Sequence, residues 1–332
     1  MRRYASEAEI QQAVNLKATG KNNCEIAREI GRPHQTVGGW FFKGGLVDRL
    51  GLTPNVEIVK EEVPAAKIRV RVPAGSDSNG AVTRVLEIGD AHDHPNIDKR
   101  RFRWMGKLAA DRGVHWAVSI GDFLTLDSLN SHIGNDTILG KHKSPWLADM
   151  VSAKEAFGEF NHGLGSHRCN KHITDGNHER RQWTYEEQRP EIAGVMTGEY
   201  LQILEDHGWG RTPYGEYFFL AGVGHIHAAI NRMNKTYGGK QAEVTICNDA
   251  VFDHIIGHSH VRREYRAPKL GPSKHVTVLN LGCSLPQGHV EAFMYGGATT
   301  GWWWGAHIVT MQNGQIVGAE AIPMSELERM YG

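Results

Sequence analysis

From Val82 to the C-terminus, short apolar runs recur, and each stops at a small knot of polar residues. Residues 83–88, TRVLEI, read as a strand that empties into GDAHDHP. A helical stretch follows from Ile97 to about Arg112, and 115–120, HWAVSI, reads as a strand leading into GDFLTLDS. The two Gly-Asp pairs lie 32 residues apart, the length of one βαβ unit. Further apolar strands are expected before GNHE (176–179), GHIH (224–227) and GHSH (257–260), and HVTVLNL (275–281) continues the sheet. Near the C-terminus, Asn313-Gly314 separates two alternating segments, a strong hairpin signal. Residues 128–170 and 180–215 read as insertions around the rim of a site, where loops commonly carry specificity.

The N-terminal 50 residues follow another pattern. Ser6-Glu7-Ala8-Glu9 reads as a capping box opening a helix to about Thr19, stopped by Gly20. A second helix fits Cys24 to Ile30, capped by Asn23 and ended by Gly31. Pro33 opens a third through about Phe42, and Gly44-Gly45 closes the unit. The run EIAREIGRPHQTVGGW resembles a helix-turn-helix: Ala27 permits close crossing, Gly31 the turn, and Val37 packs the recognition helix. That resemblance implies DNA as a partner. His34, Gln35, Thr36 and Gly38 form the face entering the major groove, with Arg32 on phosphate and Gln35 on adenine. Gly38-Gly39 inside the third helix weakens the pattern, and a three-helix bundle for protein contact is the other reading. Residues 51–80, with Pro54, Pro64, Pro73 and GSDSNG, read as a linker in which Lys67 to Val72 alternates like a short strand. The chain thus divides into 1–50, the linker 51–80, and a large domain 81–332.

Composition adds a few limits. The 332 residues suffice for two domains and one sizeable core. No apolar run approaches a membrane span, and the start MRRYASEAEI has no apolar signal region, so no membrane role and a cytoplasmic location are expected. Cys24, Cys169, Cys247 and Cys283 form no CxxC pair, which excludes a cysteine zinc knuckle and leaves four reduced thiols. Residues 1–50 hold eight Lys/Arg against five Asp/Glu, and the rest hold 29 against 32. A mildly basic head on a mildly acidic body is compatible with nucleic-acid contact through the head.

Histidine carries more information. Several of the 19 sit beside Gly, Asp and Asn at predicted strand ends. In open α/β sheets, ligands bind beyond the carboxyl ends of strands. Five such ends carry Asp90 with His92, Asp122, Asn177 with His178, His227, and His258 with His260. This mixture of oxygen and nitrogen donors suits Mn²⁺, Fe, Zn²⁺ or Ni²⁺ and disfavours calcium. Each motif alone is a common turn; the ordered set of five is not.

The set DxH, GD, GNHE, His and GHxH, over about 82–290, resembles the calcineurin-like metallophosphoesterases. The resemblance implies an α/β fold, a four-layer α-β-β-α sandwich with mixed sheets, beside the small all-α N-terminal unit. It implies two divalent metal ions, Mn²⁺ first. Asp90, His92 and His260 would hold one, Asn177, His227 and His258 the other, and Asp122 would bridge them. His225 is the alternative to His227. His178 would face the substrate as the catalytic group, with Arg180 or Arg181 binding phosphate. FLTLDS after GD lacks the V-D-R-G run of the Ser/Thr phosphatases of this superfamily, although Asp127 offers a carboxylate at a different spacing. The wording GDFLTLDSLNSH, GNHERR and NRMNKTYGG is most similar to phosphoesterases of bacteriophages and prophages. The expected function is two-metal hydrolysis of phosphate esters, nucleic acid ahead of others. Two alternatives stay open: a small-molecule or cyclic-nucleotide phosphodiesterase, and a non-enzymatic DNA-binding adaptor with a structural metal site. Trp302-Trp303-Trp304 reads as a packing cluster, a stacking platform or an interface.

Overall fold

A computed structural model describes residues 5–19, 21–41, 45–53, 81–131, 133–134, 136–271, 273–291 and 299–332. The chain divides into two compact units, Met1–Lys67 and Ile68–Gly332. The expected linker falls largely on 54–80, outside the described residues, as do the short strand at 67–72, the stop at Gly20, Phe42 and Gly44.

In the first unit, α1 (Glu7–Ala18) starts at the expected capping box, Ser6 with Glu9. Helix α2 spans Asn23–Glu29, and its cap is Asn22 rather than Asn23. The reason is local: Asn22 accepts from the amides of Cys24 and Glu25, and the Glu25 carboxylate returns to the Asn22 amide. After a turn at Gly31, whose φ of 67° suits glycine, come α3 (His34–Trp40) and α4 (Leu46–Leu50). Ile10, Ala13, Ile26, Ala27, Val37 and Trp40 form the core. His34, Gln35 and Thr36 remain exposed, as the amphipathic spacing around Val37 and Trp40 requires.

The second unit holds two sheets. Strands β1 (Thr83–Ile88), β2 (Trp116–Ser119), β3 (Asn170–Thr174) and β4 (Trp209–Thr212) run parallel. The hairpin β10 (Gly305–Gln312) and β11 (Gln315–Pro323) completes the first sheet in the order β11-β10-β1-β2-β3-β4. Its two-residue turn, Asn313 and Gly314, has positive φ at both positions, as a type I′ hairpin needs. The second sheet runs β5 (Phe218–Leu220), β6 (Val223–His225), β7 (His254–Ile256), β9 (His275–Leu281), β8 (Arg262–Pro268).

Alternation along the strands builds the layers. Val85, Val118 and Val309 of the first sheet meet Phe218, Val223, Ile255 and Leu279 of the second. Glu87 also points inward and meets His225 at 2.9 Å, a fully buried pair across the two sheets. Leu86, Ile88 and Ala117 face the other way, against α5 (Arg100–Asp111), α7 (Trp146–Leu164), α9 (Val195–Asp206) and α11 (Met324–Tyr331). Beyond the second sheet, α10 (Ala242–Asp249) covers Ile256, Val276 and Val278. This is the expected α-β-β-α sandwich with mixed sheets.

Two expectations change, and one strand boundary bears on the choice between His225 and His227. Helix α5 begins at Arg100 rather than Ile97, because His94 to Asp98 forms a turn. Segments 128–170 and 180–215 are not rim insertions. Ala153, Ala156, Phe157 and Phe160 of α7 and Tyr200 and Ile203 of α9 lie in the largest core cluster, with Trp209 of β4. Finally, β6 runs into GHIH, so His225 belongs to a strand and only His227 lies beyond its end. The remaining helices, α6 (Ile138–Lys141) and α8 (Arg180–Glu187), flank the loops that follow β2 and β3. Among the described residues, no helix is long and apolar enough to cross a membrane.

Candidate metal centre

The loops leaving β1, β2, β3, β6 and β7 place their polar residues two to four positions past each strand end. They converge into two groups that can hold a metal ion. Asp90, His92 and His260 form the first, and Asp122, His227 and His258 the second; within each group the ligand atoms lie within 4.8 Å of one another.

In the first group His92 Nε2 faces His260 Nε2 at 2.9 Å, and His260 Nε2 lies 3.2 Å from Asp90 Oδ2. Two imidazole nitrogens and a carboxylate oxygen directed at one point form a cation's donor set. The buried Asp90 Oδ2 has no hydrogen-bond partner, which fits a cation at that point. Behind His92, its Nδ1 lies 3.0 Å from the Glu291 carboxylate. Burial opposes charge on the His92 ring, yet Glu291, Asp122 and Asp90 outweigh it and lift the ring to about 9. Burial likewise opposes charge on Asp90, but His227 and His260 hold its carboxyl below the usual range.

In the second group His227 Nε2 lies 3.2 Å from Asp122 Oδ2 and 3.1 Å from Asn177 Oδ1. Its Nδ1 is 3.0 Å from the Ile120 carbonyl, which orients the ring. Despite burial, Asp122 and Asp90 lift His227 to about 9. Asp122 is held well below the usual range: burial opposes this, but His178 and His227 prevail. His258 is exposed, and its amide donates to Asp90 Oδ1 at 3.0 Å, tying the two groups together. His225 lies apart, in its pair with Glu87.

Backbone geometry explains the motif glycines. A Cβ on Gly176 would stand 2.0 Å from Asp122 Oδ1, and one on Gly257 would stand 2.3 Å from Asp90 Oδ1. No side chain fits where each carboxylate presses on the neighbouring loop. His92, Asp122, His258 and His260 all have left-handed φ, from 42° to 73°. Each such non-glycine residue costs on the order of 1–3 kcal/mol, so four of them in one constellation mark local strain.

Two acidic residues escaped the sequence reading. Glu291 backs His92, and Glu179 accepts from the amides of Asp122, Leu124 and Gly176 at 2.8–2.9 Å. Glu179 thereby pins the loops carrying Asp122 and Asn177 together. Burial, with Asp122 and Asp175 nearby, pushes it up to about 7. Its place beside Asn177 and His178 in GNHE was the readable signal. Glu291 follows no strand and offered none.

His178 lies with Nε2 3.8 Å from Asp122 Oδ2. Its Nδ1–H donates to the Thr125 carbonyl at 2.7 Å, while Arg181 donates to its Nε2 at 3.0 Å. Burial drives this ring down to about 3 against the pull of Asp122, so it is neutral. The orienting group is thus the Thr125 carbonyl and not Asp127, which instead lies 3.8 Å from Arg181. Arg180 is exposed and sits over the Tyr214 ring. Arg32, in the N-terminal unit, is paired with Glu9 at 2.8 Å. Trp302 packs edge-on against His260 with centroids 4.2 Å apart.

No protein-family model matches the sequence, and no curated protein matches it. Among solved structures, TT1561 of Thermus thermophilus is similar over 61% of this chain and 90% of its own, at 12% identity and TM-score 0.27. Vps29 complexed with zinc, from Entamoeba histolytica, is similar over 73% and 99%, at 12% identity and TM-score 0.29. Overlaps this loose carry no weight for function, and the sandwich rests on its own sheet topology.

Proposed function

We propose that this chain is a metal-dependent hydrolase of phosphate esters, a metallophosphoesterase using two divalent cations, Mn²⁺ first among them. The observation that carries the reading is the convergence of two adjoining donor groups from four strand-end loops of both sheets, with Asn177 of a fifth loop against His227. In it Asp90, His92 and His260 would hold one cation, Asn177, His227 and His258 the other, and Asp122 would serve both. A bound metal pair lowers the pKa of water and clamps phosphate oxygens.

The chain's own residues do the rest. Glu291 fixes the His92 ring so that Nε2 faces the centre, and the Ile120 carbonyl does the same for His227. Glu179 holds the Asp122 loop against the Asn177 loop. Arg181 supplies a permanent positive charge for a phosphate oxygen, since a guanidinium keeps its proton. His178 keeps Nε2 on the Asp122 side, and once Arg181 turns from it to a phosphate oxygen this nitrogen can take a proton from water and deliver it to the leaving oxygen.

The N-terminal unit is proposed to bring this centre to DNA. Its exposed His34, Gln35 and Thr36 stand on one short helix behind a glycine turn. Arg32 would reach phosphate by exchanging Glu9 for it. The substrate is then a phosphodiester or terminal phosphate of nucleic acid, in a bacterial or phage-infected cytoplasm.

The test is Mn²⁺-dependent hydrolysis of bis- and mono-p-nitrophenyl phosphate, followed by single- and double-stranded DNA. Full metal loading with no hydrolysis of any of these would leave a structural metal site and sink the enzyme reading. DNA affinity should survive Asp122→Ala and fall on deletion of residues 1–50; equal affinity in the truncation would end the targeting role.

A further inference from the structure

Beside His258 lies a cavity of about 650 Å³ that the metal groups do not account for. Its apolar lining comes from Ala229, Tyr237, Ala242, Ile246 and Ile256. The polar part of the wall is a connected chain. Arg263 donates to Glu243 Oε2 at 3.2 Å and to the Lys240 carbonyl at 2.5 Å. Glu243 Oε1 accepts from Asn280 Nδ2 at 2.8 Å, and the same Nδ2 donates to Ser259 Oγ at 2.8 Å. The Glu243 carboxylate fixes the amide orientation, because a flipped Asn280 would set oxygen against oxygen. Both amide hydrogens are then used, and the buried Asn280 Oδ1 stays without a donor.

These features select an occupant. The volume suits one small organic group. Glu243 spends its charge on Arg263, which leaves the buried Asn280 Oδ1 as an acceptor that calls for a neutral N–H donor. The acceptor-rich wall of Glu243, Asn280 and Ser259 disfavours plain hydrocarbon. A base still stacked in a duplex cannot enter a half-open recess of this size; it must first leave the stack. Ser259 follows His258 directly, so the recess begins where a phosphate at the second metal group would end.

We infer that this cavity receives a single unpaired nucleobase, attached to the phosphate that lies at the metal groups. The inference rests on the phosphoester reading and narrows it to nucleotides, frayed ends or single strands.

The probes are the non-hydrolysable 5′-methylenephosphonate analogues of AMP and of ribose 5-phosphate, in equilibrium dialysis with the full Mn²⁺-loaded chain. The AMP analogue should bind at least about 10-fold more tightly than the ribose analogue. Ala242→Trp, which fills the recess from the start of α10, should abolish that difference and leave the ribose analogue's affinity unchanged. If that variant loses both ligands, Gly238→Trp serves instead, at a position where an added Cβ meets nothing within 4 Å. Equal binding of the two analogues to the native chain overturns the inference, as does a preference that survives both fillings. A base preference without hydrolysis of any ester upholds the cavity and removes the enzyme reading; hydrolysis without a base preference does the reverse.

Discussion

The two donor groups use the same residue types but sit in different surroundings. Asp90, His92 and His260 are all buried, and Glu291 stands behind one of the rings. In the second group Asp122 and His227 are buried, but His258 is exposed and borders the cavity. The first is a closed, acid-backed holder, and the second is a holder with one side open. Burial strengthens each charge interaction and limits exchange, whereas exposure admits a ligand. On the proposed reading, the first group would retain its cation and the second would present one to substrate.

The largest effect comes from removing the carboxylate that the proposed function sets to serve both groups. Asp122→Ala should lower kcat/KM for bis-p-nitrophenyl phosphate by about 10³-fold or more, the scale of losing a central charge in an active site. A loss under about tenfold would mean the groups act independently. Next is the asymmetric change Glu291→Gln. It should weaken one of two metal-binding events by about 10–100-fold and leave the other alone. Calorimetric titration reads this directly, and equal weakening of both would erase the distinction.

Proton linkage follows, and its sign is fixed by the raised pKa of His92 and His227, each about 9. Below pH 9 each ring holds a proton that a cation must displace. Affinity should therefore rise with pH up to about 9 and fall about tenfold per pH unit below it for each ring. Titrations at pH 7 in buffers of different ionisation enthalpy should show proton release; a pH-independent affinity would contradict the geometry. The smallest contrast is between neighbouring arginines. Arg181→Ala should cost about 10²-fold in kcat, as loss of a charge-stabilising donor does. The exposed Arg180→Ala should stay within about twofold, like most surface changes.

Much of the centre was legible in the chain because its ligands follow strands. Once β1, β2, β3, β6 and β7 are recognised by their apolar runs, the residues two to four past each end must gather at one edge of the sandwich. The supporting acids were less accessible. Glu291 meets His92 only after some 200 residues of chain have folded back, and no local pattern announces such a contact. Helix α7 was different. Met150, Ala153, Phe157, Phe160 and Leu164 carry a helical spacing that could have been read, but the surrounding Gly- and His-rich segment obscured it. The choice between His225 and His227 turned on one strand boundary, the least certain feature of any sequence reading.

The ligands come from loops of both sheets, with His92 on the first sheet facing His260 on the second. A bound cation would therefore rivet the two halves of the sandwich at one edge, as the Glu87–His225 pair does further in. Mechanical and thermal resistance should then depend on divalent concentration, so that a chelator loosens the whole sandwich as well as stopping its chemistry.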